Sequence, residues 1–486
     1  MADPHGLNSL PPELQAMVFE LLPIPALKAM RLVSKQYSSE ATKALWKDTK
    51  IKIDLESSRS LDDLLVEYPS GFIDSVRQLS IDTVSCNWSL SAKIARDILN
   101  KLPLDHLRIF QSRNSKVSRE ALGVLLEKQT RLSSLLICPD LFPEECFNYG
   151  GMDNLQSLHI IWHNTRNSGF IVDRWLRLAP RLEDLTMEAK PIQQALFSLA
   201  DCLNLQRLTL CGLDLSELSA NSLPTVSLKA LELNCCKGSR ALLQSVASHN
   251  KQGSGTHHLI SFIWRNRGYD AAWPNATEVL QSAEGLSKIV IDIDYADVRA
   301  ILSNIGPSAG TLEELQYTTT VNDFSTRQLE FVVPSCRKLK RLTISPKLFE
   351  PRPGDIVPAE PRFNPEPLKI ISKISSLRRL SLILLFLDGQ GYAAEELKSK
   401  YAYFADETIN LLAQAGSGIE TLDFGPPDRT SWYDHHKPDD NGHTYPYYSY
   451  KVGRITETCD GGQKSVKFVA IPIPAAPVEM QPSAFR

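Results

Sequence analysis

The feature that most constrains this chain is a six-residue apolar unit that recurs through its middle. Its pattern is L-x-x-L-x-L, with isoleucine, valine or another large apolar residue also accepted. The copies begin at Val76, Leu104, Leu132, Leu155, Leu182, Leu205, Leu228, Leu259, Leu286, Leu312, Leu339, Leu377 and Ile419. Most successive starts lie 23 to 31 residues apart. A period of about 20–29 residues is typical of solenoids, in which each repeat buries its apolar face only against its neighbours.

Helical patterns lie between these units. The segments SAKIARDILNKL (91–102) and SREALGVLLEKQ (118–129) each place their aliphatic residues on one helical face. The chain therefore repeats strand, turn and helix, which predicts an α/β fold with parallel strands on the concave side and helices on the convex side. An ordinary α/β domain with a parallel sheet shows the same alternation and stays open as an alternative.

Over roughly residues 70–425 the units resemble the leucine-rich-repeat family. The resemblance implies a solenoid, although the repeats are irregular. The family places Asn or Cys three positions after the third apolar residue, where the side chain bonds the turn backbone. Only Cys236 stands at that position here.

The third and fifth positions of each unit are expected to point to the concave surface. Those positions carry mixed charges, which suits a protein or peptide target better than a track of phosphates. The candidate target-binding residues are His106, Arg108, His159, Asp184, Arg207, Glu232, Arg341 and Arg379. For any one of them, a solvated surface position with no binding role is the competing interpretation.

A separate signal lies at the beginning of the chain, in SLPPELQAMVFELLP (9–23). Pro12 suits the first turn of a helix and Pro23 ends it. The apolar residues Leu14, Met17 and Leu21 recur at helical spacing. The following segment, up to Thr49, predicts two more short helices. Three short helices cannot bury much apolar surface alone, so the stripe must cap the repeats or face a partner.

These first residues resemble the F-box motif, in which L-P-x-E-L is followed by an apolar helix and a second L-P. The matching positions are Leu10, Pro11, Glu13, Leu14, Val18, Leu21, Leu22, Pro23, Leu27, Arg31, Val33, Ser34, Lys35, Tyr37 and Trp46. The resemblance implies a helical module that docks on the Skp adaptor of an SCF-type cullin–RING ubiquitin ligase. The residues that would form or support the docking surface are Leu10, Pro11, Glu13, Leu14, Val18, Leu21, Leu27 and Val33.

The implied function is that of a non-catalytic substrate receptor, with the solenoid holding a target protein for ubiquitination. No catalytic motif stands out, and we expect neither a cofactor nor a metal. The stretch WYDHHKPDDNGH (432–443) holds potential metal ligands but is polar and rich in turn residues, so a loop is favoured. A scaffold that binds partners without a ligase role is the alternative.

Bulk properties fit an intracellular protein. The net charge is −3 and 43% of the 486 residues are apolar, which favours neither nucleic-acid binding nor disorder. The nine cysteines are odd in number and contain no C-x-x-C pair, which indicates a reducing compartment. No signal peptide or membrane-length apolar run is visible, so we expect a soluble protein of the cytoplasm or nucleus.

The domain prediction has three parts. Residues 1–50 form the F-box helical module, 51–425 the irregular leucine-rich-repeat solenoid, and 426–486 a tail. Two loops interrupt the solenoid, a proline-rich one at 346–367 and another at 388–407 with some additional helix. The tail contains two strand-like stretches around Asp460-Gly461, which predict a hairpin that could cap the last repeat. A tail folded back into the concave groove stays open.

Overall fold

The computed structural model describes residues 7–47, 50–52, 76–81, 88–139, 152–163, 172, 175–194, 197–218, 228–252, 259–266, 273–293, 305–319, 329–330, 335–345, 348–350, 362–383, 394–424, 448–458 and 464–473. They belong to two compact units, Met1–Arg207 and Leu208–Arg486. Each unit is described by itself below.

The first unit begins with three helices, as the sequence predicts. After a 3-10 turn at Leu7–Ser9 come α1 (Pro12–Leu21), α2 (Ile24–Met30) and α3 (Lys35–Lys47). The Ser34 hydroxyl caps α3 by accepting a hydrogen bond from the backbone N–H of Tyr37 at 3.2 Å. The small core of these helices centres on Phe19, Leu27 and Ala41.

The rest of the first unit is a parallel sheet whose strands pair in chain order. They are β1 (Lys50–Lys52), β2 (Gln78–Ser80), β3 (Ile109–Val117), β4 (Ser134–Pro139), β5 (Ser157–His163) and β6 (Asp184–Gln194). Helices α4 (Trp88–Lys101) and α5 (Arg119–Lys128) connect β2 to β3 and β3 to β4. The apolar positions of the units are buried, as in Leu132, Leu135 and Ile137. The predicted strand–helix repeat is present.

One predicted repeat is out of register. The unit expected at Leu104 begins at Leu107, because Gln78 pairs with Ile109 and Ile109 with Ser134. Leu104 is 70% exposed, whereas Leu107 is fully buried. Burial thus selects the later leucine. The correction moves His106 and Arg108 off the strand, so neither occupies a concave position.

The second unit continues the same architecture. Its strands are β7 (Arg207–Asp214, whose first residue closes the first unit), β8 (Ala230–Asn234), β9 (Ser261–Asn266), β10 (Lys288–Ile293), β11 (Glu314–Thr319), β12 (Arg341–Ile344), β15 (Arg379–Leu382) and β16 (Thr421–Phe424). From β8 to β16 the pairing is parallel and aligns the predicted third positions, Ala230, Ser261, Lys288, Glu314, Arg341, Arg379 and Thr421. The helices are α6 (Arg240–Gln252), α7 (Trp273–Ser282), α8 (Glu366–Ile371) and α9 (Ala394–Gln414), with a 3-10 turn at Gly306–Ser308.

The two predicted loops are more ordered than expected where the structure describes them. Two ends of the 346–367 segment pair antiparallel as β13 (Phe349–Glu350) and β14 (Arg362–Phe363). Most of the loop predicted at 388–407 is instead the 21-residue helix α9. Tyr401, Ala405, Ile409 and Leu412 are buried along it at helical spacing, which is the physical reason for the correction. Residues 346–347 and 351–361 of the first segment and 388–393 of the second lie outside the described residues.

The sheet of the second unit ends in an antiparallel hairpin. Strand β17 (Tyr448–Thr458) pairs antiparallel with β16 and with β18 (Lys464–Pro472). Tyr450 is buried beside Phe424, with ring centroids 6.0 Å apart. The turn predicted at Asp460-Gly461 lies outside the described residues, as does the WYDHHKPDDNGH stretch.

Candidate functional site

Helix α1 presents two different apolar faces. One face packs inward, where the Phe19 ring lies 5.7 Å from the Tyr37 ring of α3. The other face is open, because Leu14, Met17 and Leu21 are 46%, 60% and 84% exposed. Their spacing of three and four residues places them in one line along the helix. The described part of the chain therefore leaves the predicted stripe uncovered.

Two further apolar residues are exposed between α2 and α3. Leu32 is 88% exposed and Val33 is 62% exposed. We call the exposed set Leu14, Met17, Leu21, Leu32 and Val33 the helical apolar face. Five large apolar side chains exposed on so small a module mark an interaction site more often than a random feature of the surface.

The hydrogen bonds of Gln15 hold the module together beneath that face. Gln15 is buried, and its amide nitrogen donates to the carbonyl oxygen of Leu10 at 2.7 Å. Its side-chain oxygen accepts from Gln36 on α3 at 3.0 Å. The N-terminal turn, α1 and α3 are thereby linked, which fixes the direction in which the α1 stripe points.

The eight residues predicted for adaptor docking divide into three groups. Pro11, Glu13, Leu14, Leu21 and Val33 are exposed, Leu10 and Val18 are half-buried, and Leu27 is buried in the core of the module. Leu27 can support the surface but cannot touch a partner directly. Sequence reasoning missed Leu32 as a docking residue, although its place beside Val33 was visible.

In the first unit, the predicted target-binding residues that lie on strands contact one another or a neighbouring carboxylate. The His159 Nε2 atom lies 3.0 Å from Glu188 Oε1. Arg207 Nη1 donates to Asp184 Oδ2 at 2.9 Å. His106 and Arg108 instead belong to the turn before β3, where the His106 backbone N–H donates to Gln129 at 2.9 Å.

In the second unit, one network on the strand face joins β8 and β9. Arg265 Nη1 donates to Glu232 Oε1 at 2.7 Å and to Asn234 Oδ1 at 3.2 Å. Arg265 is only 11% exposed. Glu188 and Arg265 each stand two residues after the fifth position of their unit. Because strand side chains point to the same face at every second residue, continuing the strand pattern beyond the six-residue unit would have identified both residues.

Further along the second unit, the third positions alternate in charge. Lys288 Nζ lies 2.9 Å from Glu314 Oε1, and Arg341 Nη1 lies 3.6 Å from Glu314 Oε2. The fifth positions below them are inaccessible, namely Val290, Gln316, Thr343, Ser381 and Asp423. Solvent therefore reaches the side chains at the third positions of these units but not those at the fifth positions.

The buried carboxylate of Asp423 closes this face at its C-terminal end. Arg379 Nε donates to Asp423 Oδ2 at 2.5 Å, and the Ser381 hydroxyl donates to the same oxygen at 3.3 Å. The Ser449 hydroxyl of β17 donates to Asp423 Oδ1. The site fixes the hairpin to the last parallel strand, so its evident role is structural.

Among the described residues, no group of three or more His, Cys, Asp and Glu side chains is arranged to hold a metal ion. No helix in the described ranges is long and apolar enough to cross a bilayer.

Comparisons with known proteins add little to this geometry. No family model matches the chain, and no curated protein matches it. A solved leucine-rich-repeat protein of Leptospira interrogans matches with a TM-score of 0.29 and 12% identity, over 73% of this chain and 88% of that one. A TM-score this low carries no argument. The repeated strand arrangement rests on the parallel strand order and on the register within each unit.

Proposed function

We propose that this chain is the substrate-recognition subunit of an SCF-type cullin–RING ubiquitin ligase. In this proposal the helices of residues 7–47 dock on the Skp adaptor, and the repeats hold a target protein. The observation that carries it is the helical apolar face, in which three of the five residues, Leu14, Leu21 and Val33, stand at positions of the F-box resemblance.

The two faces of α1 differ in how much of their apolar surface the described residues cover. The inner face fills a core of only a few side chains, while three large apolar residues remain open on the other face. Each Leu or Met that a partner buries contributes about 1.5–3 kcal/mol. An amphipathic helix with anchors at these spacings suits docking into an apolar groove.

The contribution of the chain to ubiquitin transfer is proximity. Holding a target and the ligase on one polypeptide raises the effective concentration of target lysines near the conjugating enzyme. No residue of the chain needs to form or break a bond, so the proposal includes no cofactor and no catalytic group. It places the protein in the cytoplasm or nucleus, where that ligase system operates.

The test is capture of purified Skp adaptor by the full chain. We expect binding by wild type and its loss in a Leu21→Asp/Val33→Asp variant, whose changes lie on exposed positions and leave the core intact. The matched control is Leu104→Asp/Leu203→Asp, because these leucines of the same unit are 70% and 69% exposed. No binding by wild type, or equal loss in the control, would overturn the proposal.

A second candidate is a scaffold that binds a partner without delivering it for ubiquitination. The polar side-chain pairs of the strand faces are compatible with holding a partner, and holding a partner does not require the ligase complex. The two functions separate in a reconstituted reaction containing adaptor, cullin, RING protein and conjugating enzyme. A chain that binds the adaptor yet never promotes modification of a bound target would favour the scaffold.

A further inference from the structure

The edge of the second unit where the parallel strands begin carries a concentration of cations. A cavity of about 430 Å³ is lined there by Glu313, Arg337, Lys338, Lys340, Ser376 and Arg378. Four cations against one carboxylate give this cavity a formal charge of +3. The whole chain carries −3, so the local excess is not a consequence of composition.

The cations of this cavity are available to a ligand. Arg337 and Lys338 are exposed and form no ion pair with any described residue. Lys340 pairs with Glu313 at 2.9 Å, with the two side chains 58% and 47% exposed. Such solvated pairs are worth about 0–1 kcal/mol, so an incoming anion can replace Glu313 at little cost.

A second cavity, of about 620 Å³, is linked to the first by a hydrogen bond between Arg378 and Gly418, and we call it the apolar cavity for the aliphatic and aromatic side chains in its lining. Its apolar lining comes from the end of α9 and from the hairpin, and comprises Ile409, Leu412, Ile419, Val452 and Phe468. Lys451 and Arg454 also line it, and the Arg454 guanidinium lies 5.5 Å from the centroid of the Phe468 ring. The Ser417 hydroxyl oxygen in its lining is inaccessible and has no hydrogen-bond partner among the described residues.

Arg378 forms the wall between the two cavities. Its Nη1 donates to the carbonyl oxygen of Gly418 at 2.9 Å, and its Nε lies 3.6 Å from Glu420. Gly418 and Glu420 both line the apolar cavity. A Cβ on Gly418 would lie 2.2 Å from Arg378 Nη1, so any other residue there would displace the end of the Arg378 side chain from this position. We call the two cavities together the basic edge.

We propose that the basic edge binds an acidic peptide segment of a target protein. Two or more of its carboxylates lie against Arg337, Lys338 and Lys340, and an apolar side chain of the same peptide enters the cavity beside Phe468. The identification of the peptide as part of a ubiquitination target rests on the proposed function. The binding itself does not require the adaptor.

The spread of the charges favours a peptide over a small anion. The cations come from the turns before two neighbouring strands, with Arg337, Lys338 and Lys340 ahead of β12 and Arg378 ahead of β15. Neighbouring strands lie about 4.8 Å apart and an extended peptide advances about 3.3 Å per residue, so acidic residues one or two positions apart can meet cations of both turns. Nucleic acid is the less favoured polyanion, because Phe468 is the only aromatic residue among the described residues that line these cavities, and single strands need rows of stacking rings.

The experiment selects peptides from a random displayed library on the full chain, without adaptor. We expect selected peptides to contain at least two Asp or Glu residues close to an apolar residue. Fluorescence anisotropy then measures the best peptide against Arg337→Glu/Lys338→Glu, with about tenfold or greater loss expected. The matched control is Arg240→Glu/Lys251→Glu, exposed cations of α6, which should change affinity by less than about twofold.

A filling variant tests the apolar cavity independently of charge. Ala413→Phe places a ring into that cavity from α9, a position compatible with the helix, and should weaken the same peptide while circular dichroism stays unchanged. Selection of peptides without acidic residues, equal binding by the charge-reversed variant, or tighter binding of short single-stranded DNA would overturn the inference. Adaptor capture is measured on the same variants, so loss of the ligase proposal and loss of this one are distinguishable.

Discussion

Gln129 shows how one buried side chain can fix where a strand begins. Its side-chain oxygen accepts hydrogen bonds from the backbone N–H groups of His106 and Leu107, at 2.9 and 2.8 Å. Its amide nitrogen donates to the carbonyl oxygen of Pro103 at 2.9 Å. Because Gln129 is 1% exposed, water cannot replace these bonds. The turn before β3 therefore depends on a residue at the end of α5.

Replacing Gln129 by leucine is expected to destabilise the first unit by about 2–4 kcal/mol, since three backbone groups lose their partner. A urea titration of the full chain measures the change. The control is Gln156→Leu, because the Gln156 side chain is exposed and forms no hydrogen bond with any described residue. If both substitutions shift the midpoint equally, the hydrogen bonds of Gln129 do not stabilise the turn.

The thiols of the second unit differ in a way that is set by burial. Cys236 is 1% exposed and its Sγ donates to the carbonyl oxygen of Leu210 at 3.3 Å, so it bonds the backbone of strand β7 rather than the turn backbone that the repeat resemblance implies. Burial raises the pKa of Cys236 to about 12 and the pKa of Cys336 to about 11. Cys235, immediately before Cys236, is exposed.

Iodoacetamide at about pH 8 should therefore modify Cys235 but leave Cys236 and Cys336 intact in the native chain, because the thiolate is the reacting form. A raised pKa keeps a thiol protonated, so the protection of both buried cysteines should persist until the pH approaches those raised values. Peptide mass spectrometry reads out the modification. The control is the same reaction in denaturant, where all three should react; native labelling of Cys236 would show that its site opens readily.

At the scale of elements, the chain leaves helix α9 through Gly416, whose backbone conformation only glycine adopts without strain. Gly416 has φ +78°, and its N–H donates to the carbonyl oxygen of Ala413 at 3.0 Å. A Cβ would meet no atom within 4 Å there, and the same is true at Gly310, whose backbone is ordinary. The two glycines thus differ in conformation but not in available space.

Gly416→Ala is expected to cost about 1–2 kcal/mol, from the left-handed backbone alone. Gly310→Ala should be neutral or stabilise slightly, since it only reduces the freedom of the unfolded chain. Thermal unfolding of both variants provides the comparison. Equal effects would mean that α9 does not need its left-handed end.

The alternation of strands and helices could be predicted from the sequence, but one register and one helix could not. LDHLRI at Leu104 fits the apolar pattern better than LRIFQS at Leu107, whose last position is the buried Ser112. Only the competition for burial between Leu104 and Leu107, together with Gln129, decides the register. Helix α9 was hidden because Gly389 and Gly391 just before it indicate a loop.

The candidate sites were predictable to different extents for a similar reason. The helical apolar face lies in one continuous segment, so spacing alone places Leu14, Met17 and Leu21 together. The basic edge combines residues of the turns before β12 and β15 with residues of β16, β17, β18 and the end of α9. No local sequence pattern links Arg337 to Phe468. The two residues belong to one surface only because of the way the strands between them pair.

At the scale of the whole molecule, the two proposed surfaces lie in different compact units of one chain. The helical apolar face belongs to the first unit and the basic edge to the second. Each consists mainly of exposed side chains, so each can be altered without disturbing the core of either unit. A receptor needs both functions on the same polypeptide, because proximity is lost when adaptor and target bind different molecules.

This requirement predicts the outcome of a mixing experiment. The reaction contains adaptor, cullin, RING protein, conjugating enzyme and a lysine-bearing form of the selected acidic peptide. Wild-type chain should promote ubiquitination, whereas Leu21→Asp/Val33→Asp and Arg337→Glu/Lys338→Glu should each fail. The two variants mixed together should also fail, since neither holds adaptor and peptide at once. If the mixture were as active as wild type, target and ligase would meet without a bridging chain, and the scaffold function would be the better account.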